Sequence, residues 1–152
     1  MKRVIGLDVG DKTLGVAVSD ELGLTAQGVT TYRRSSLAAD VEFLRQTIAQ
    51  YAATALVVGL PKNMDGSLGP QAQKTLAFIE RLRQGCAIPV VTWDERLTTR
   101  EAERVLLAAN TSRQRRKEVR DRLAAQLILQ SYLEWSRRHP DHSHSDDHTV
   151  PS

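Results

Sequence analysis

Two hydrophobic periods share this chain. Within "KRVIGLDVGDKTLGVAVS", residues 2–9 and 14–19 are apolar-rich runs of strand length. The "GDKT" between them is a Gly/Asp turn suited to a hairpin. "LTAQGVTTYR" has the β-branched content of a third strand, weakened by Gly28. Short turns between the three predict an antiparallel meander. From Leu37 to Tyr51 the period changes, and Leu37, Val41, Leu44, Ile48 and Tyr51 recur at helical spacing, with Ser35 or Ser36 available as the cap.

"ALVVGL" is a continuous apolar run, as expected of a strand buried on both faces, and the loop "PKNMDGSLGP" follows it. Pro70 opens a helix with Ala72, Leu76, Ile79 and Leu82 on its apolar side. "IPVVTW" is the next buried strand, ending at "DERLTT". Thr98 and Glu101 have capping-box spacing, which predicts a helix from there to about Ala109. "NTSRQRRK" reads as a polar, basic loop, and a last helix runs from about Lys117 to Arg138. The predicted order is β-β-β-α-β-α-β-α-α, an α/β domain with a five-stranded mixed sheet flanked by helices. It occupies residues 1–138. The tail, 139–152, has almost nothing to bury and is expected to be disordered.

Composition narrows the function classes. The 152 residues are 41% hydrophobic and 26% charged, ordinary values for one soluble domain. No run approaches the roughly 20 apolar residues of a membrane span, and the "MKRVIGLDVG" start lacks a cleavage site, so a cytoplasmic protein is expected. Cys86 is the only cysteine, which excludes an internal disulfide. The net charge of +3 matters less than its distribution: Arg113, Arg115, Arg116, Lys117, Arg120 and Arg122 cluster against only Glu118 and Asp121. Such a cluster either binds phosphates or is a solvated loop and helix start. An aromatic content of 5% argues against a base-stacking platform.

The candidate chemistry is carboxylate chemistry. Asp8 sits inside an apolar strand, where a carboxylate must be paired, hydrogen-bonded or coordinating a cation. Asp94 and Glu95 follow a buried strand, at the end where α/β sheets gather functional groups. Asp121 falls early in the last helix, at the edge of its buried face. If strands one and five are neighbours and the last helix crosses them, Asp8, Glu95 and Asp121 converge. Such an oxygen-rich set suits Mg²⁺ or Mn²⁺. Each residue also has a plainer reading. Asp8 could accept backbone N–H bonds in a turn, Asp94 or Glu95 could pair with Arg96 or Arg100, and Asp121 could be a first-turn carboxylate. His139, His142, His144 and His148 are spaced too irregularly to read as a built metal site.

Four blocks, "GLDVGDKTLGVAVSD", "VVGLPKNMDGS", "DERLTT" and "VRDRLAAQLILQSYL", together resemble the YqgF/RuvX family from about Lys2 to Leu133. Its members are described as pre-16S rRNA nucleases and as Holliday-junction-resolvase-like. The resemblance implies an RNase H-like fold and a divalent-metal-dependent nuclease. It makes Asp8, Glu95 and Asp121 the catalytic metal ligands, with Asp94 as a candidate fourth. Lys12, Thr13, Lys62, Asn63 and Arg96 would lie near the same rim, and with Arg113, Arg115, Arg116, Lys117 and Arg120 would contact nucleic acid. For the Gly-Leu-Pro block, a fixed loop shape is the competing role. The substrate implied is a structured RNA or branched DNA, cut by a monomer or a homodimer paired through "EAERVLLAA". Two other classes compete. A non-catalytic nucleic-acid-binding module would have no need of Asp8. A kinase-like or ATPase domain, suggested by "DVGDKTLGVAV", would need a second lobe.

Overall fold

The structure, a computed structural model, describes residues 3–98 and 113–140, and between 113 and 122 the helical backbone alone. Five strands, β1 (Arg3–Val9), β2 (Thr13–Ser19), β3 (Ala26–Arg33), β4 (Ala53–Leu60) and β5 (Val90–Asp94), form one sheet in the order β3-β2-β1-β4-β5. The first three are an antiparallel meander, as the short turns predict, and β1, β4 and β5 are parallel. Opposite Val16 and Ala17 the register slips on β3, leaving Val29 beside Gly28 as the extra residue.

The first and fifth strands are not neighbours. β4 pairs with both β1 and β5 and so lies between them. Its run "ALVVGL" has no polar side chain to present to either face, which suits it to an interior position. The antiparallel hairpin holds the other edge of β1, so β5 can only add outside β4.

Helices α1 (Leu37–Tyr51) and α2 (Pro70–Gly85) cover one face. Alternation along the strands sends Ile5, Leu7, Leu14, Val16, Leu56 and Val58 to that side, against Leu44, Phe78, Ile79 and Leu82. Ser36, not Ser35, caps α1 by accepting from Ala39 N–H at 3.1 Å. Helix α3 (Arg113–Arg138) covers the opposite face, where Val4, Ala17, Ala55, Val57 and Trp93 meet Ala125, Ile128, Leu129 and Tyr132.

Helix α3 includes Arg113–Lys117, the segment the polarity pattern assigned to a loop. Arg, Gln, Lys and Glu are good helix formers, and no Gly or Pro interrupts "RQRRKEV", so a polar face alone does not end the helix. Residues 99–112, with the helix expected up to Ala109, and residues 141–152 lie outside the described residues. His139 is described: its ring stacks on Trp135 with centroids 4.5 Å apart. Among the described residues, no helix is long and apolar enough to cross a membrane.

Candidate active site

Strand β1 alternates so that Val4, Gly6 and Asp8 face α3. At Gly6 the helix comes close enough that a β-carbon would stand 2.7 Å from Leu129 Cβ. At Gly15, which pairs with Asp8 across the hairpin, a β-carbon would be 3.5 Å from both Ala125 Cβ and Asp8 Cβ. Asp8 is therefore beside the helix, half-buried at the last turn of the sheet's apolar floor. Burial pushes its carboxyl above the ordinary carboxylate range.

Glu95 reaches the same place from two strands away. It opens the short 3-10 turn Glu95–Leu97 directly after β5. Its side chain lies over β4 at Gly59, where a β-carbon would stand 3.0 Å from Glu95 Oε2 and would also run into Ile128 Cδ1. The bare glycine thus leaves room for the Glu95 carboxylate over β4, the strand paired with β1. Burial, with the negative charges of Asp8 and Asp94, raises the Glu95 carboxyl from 4.5 to about 7. Neither Asp8 nor Glu95 has an ion-pair partner among the described residues. Two carboxylates that repel each other, partly desolvated and without a cationic partner among the described residues, are a hard-oxygen donor set suited to Mg²⁺ or Mn²⁺. No third His, Cys, Asp or Glu completes such a group among the described residues, and the Asp121 side chain lies outside them.

Asp94 is engaged differently. Its carboxylate caps the 3-10 turn by accepting from Arg96 N–H at 3.0 Å. It also receives Arg96 Nη2 at 2.7 Å, with Lys62 Nζ 3.9 Å away. Arg96 holds the Asp94 carboxyl below the usual range. The same guanidinium donates from Nη1 to Met64 O at 3.3 Å, which ties the "DER" turn to the loop after β4. Within that loop Asn63 N–H and Nδ2 bond Ser67, and Gly66 sits at φ +88, which favours glycine. The loop-shape role of the Gly-Leu-Pro block is thus visible in its hydrogen bonds. Lys62 and Arg96 stand at its rim, anchored through Asp94.

Lys12 and Thr13 lie in the hairpin turn, where Gly10 N–H donates to Thr13 O at 2.9 Å. Both are exposed. Arg113, Arg115, Arg116, Lys117 and Arg120 belong to the α3 backbone, and their side chains lie outside the described residues. Sequence reasoning passed over two features. Gly59 is one; a glycine inside a doubly buried strand is a usable signal for close approach. The other is a part-buried ion pair, Arg34 Nε to Asp40 Oδ2 at 2.9 Å, whose guanidinium also bonds Gly10 O at 2.8 Å. No local pattern marks that one.

The chain matches the RuvX family, described as Holliday junction resolvase, over residues 2–135. It belongs to that family. Among its relatives is a protein of Thermoanaerobacter pseudethanolicus named "Putative pre-16S rRNA nuclease", 57% identical over 133 residues, 87% of this chain and 96% of that one. A Myxococcus xanthus protein of the same name is 51% identical over 146 residues, 96% of this chain and 97% of that one. Among solved structures, T. thermophilus RuvC in complex with Holliday junction substrate superposes with a TM-score of 0.61 at 14% identity, covering 91% of this chain and 96% of that one. The chain therefore has the RNase H-like fold that the family resemblance implies.

Proposed function

We propose that this chain is a divalent-metal-dependent nuclease that hydrolyses phosphodiester bonds of structured nucleic acid. The observation that carries this reading is Glu95 lying over Gly59 near enough to Asp8 for their charges to repel, two partly buried carboxylates with no ion-pair partner among the described residues. The family's description and the names of relatives at 51–57% identity support it.

Asp8 and Glu95 would hold the metal. Helical periodicity sets position 121 one turn before Ala125, the residue packed beside Gly15 and Asp8, and Asp121 is proposed as the third ligand. Bound divalent cations supply activation of the attacking water and neutralisation of the leaving oxygen. Asp94, held by Arg96 and Lys62, is a positioning residue that fixes the "DER" turn and so the reach of Glu95. Lys62, Arg96 and the basic start of α3 supply phosphate contacts, which position substrate without reading sequence.

The test is cleavage of a labelled four-way DNA junction and a precursor-rRNA fragment with Mg²⁺, Mn²⁺ or EDTA. Cutting that needs both metal and Asp8, and is lost in Asp8→Asn while binding persists, is the expected result. The substrate that is cut selects between junction resolution and rRNA processing. Binding of both without cutting of either would leave a nucleic-acid-binding module.

A further inference from the structure

On the face of the sheet away from Asp8 and Glu95, at the same end of β1, lies a cleft of ≈ 480 Å³. Val9 is its floor, immediately after Asp8 but with its side chain on the α1/α2 side. The hairpin turn, the end of β3 and the first turns of α1 and α2 form its walls.

The charge of the cleft is unbalanced. Lys12, Arg33, Arg34 and Lys74 line it, against Asp11 and Asp40. Asp40 is buried and already bonded to Arg34 Nε and Ser35 N–H. Asp11 pairs with Lys74 at 3.4 Å, but both side chains are well exposed, and such a pair is weak. Lys12 and Arg33 have no acidic partner among the described residues.

One donor is fixed in place. The Arg34 guanidinium lies 4.7 Å from the Phe78 ring centroid, with Nε on Asp40 and Nη1 on Gly10 O. Its Nη2 has no acceptor among the described residues. Beside it, α2 starts at Gly69 with no side chain to cap its first N–H groups, and Gln71 of that first turn lines the cleft. Free cations, an oriented guanidinium and an uncapped helix start all favour a tetrahedral oxyanion.

We infer that this cleft is a phosphate subsite, and that its occupant is the backbone of the nucleic-acid strand that passes over the hairpin turn from the Asp8 side of the sheet. The inference rests on the nuclease reading for the path of the strand. It assigns Arg33, Arg34 and Lys74 to substrate holding at a distance from the reacting bond, with Lys12 at the crossing point between the two faces.

The test compares wild type with the Arg33→Gln/Lys74→Gln double variant, both positions being exposed. Binding of the labelled junction and the rRNA fragment is measured in EDTA over a salt series. Expected is a several-fold weaker Kd with a salt slope smaller by about 1–2 on DNA. Equal affinity and equal slope would overturn the inference even if wild type cuts normally. In a parallel arm, inorganic phosphate is titrated by NMR into both proteins. Phosphate binding lost in the variant while nucleic-acid affinity stays the same would also overturn it, in favour of a free anion as occupant. Weaker binding by the variant, with no cutting by wild type under any metal, would support the subsite and remove the nuclease reading.

Discussion

A β-carbon on Gly59 would lie 3.0 Å from Glu95 Oε2. The glycine of β4 therefore makes room for a carboxylate that follows β5 to lie over β4, the strand paired with the Asp8 strand β1. Gly59→Ala should destabilise the fold by about 1–3 kcal/mol through overpacking against Ile128 and displace Glu95. Adding Ile128→Val should recover stability, read by urea denaturation, without recovering cleavage. Recovery of both would mean that Glu95 tolerates the β-carbon.

The Glu95 carboxyl, at about 7 in the fold and ordinarily 4.5, sets a pH dependence. Between those values the folded chain holds a proton that the unfolded chain has released. Metal-free stability is then greatest below the lower value and falls as pH rises through the upper one. Thermal midpoints in EDTA should decline from about pH 5 to pH 8. Glu95→Gln should flatten the decline.

Asp8→Asn removes a partly buried charge and one source of repulsion on Glu95. Its melting temperature in EDTA should exceed that of wild type near neutral pH, although cleavage is lost. Mg²⁺ should raise the wild-type melting temperature and leave that of the variant nearly unmoved. A calorimetric scan with and without Mg²⁺ checks both.

Asp94 and Glu95 are adjacent but should respond differently to substitution. Asp94→Asn keeps an oxygen for the Arg96 N–H but loses the charge that holds Arg96 and Lys62. Cleavage should fall while the Mg²⁺ concentration for half-activity changes little. Glu95→Gln should lose activity at every Mg²⁺ concentration. A large shift in the Mg²⁺ midpoint of Asp94→Asn would make Asp94 a ligand.

Arg34→Met should cost about 1–3 kcal/mol, because it leaves a buried Asp40 oxygen without its partner. Asp40→Asn in the same chain should restore part of the loss, since the amide oxygen can still accept from Ser35 N–H. Denaturant midpoints of the three variants give the coupling.

The sequence by itself determined the elements and the residue types at the site. Apolar runs of strand length, a helical repeat from Leu37, and Pro70 at a helix start are local signals, and strands and helices formed where they pointed. It also placed Asp8 in a strand and Glu95 just after one, because alternation and strand ends are written in neighbouring residues. Local polarity misjudged the start of α3, whose basic first turns satisfy helix propensity as well as they satisfy a loop. Only the tertiary structure decided that β4 separates β1 from β5, and that Glu95 lies over a glycine of that middle strand. Strand order is set by which edges remain open once the hairpin and the doubly buried strand have paired. No single segment carries that information. The Arg34–Asp40–Gly10 tie and the basic cleft beside it are likewise products of packing, joining residues whose proximity depends on where α1 and the hairpin turn finally meet.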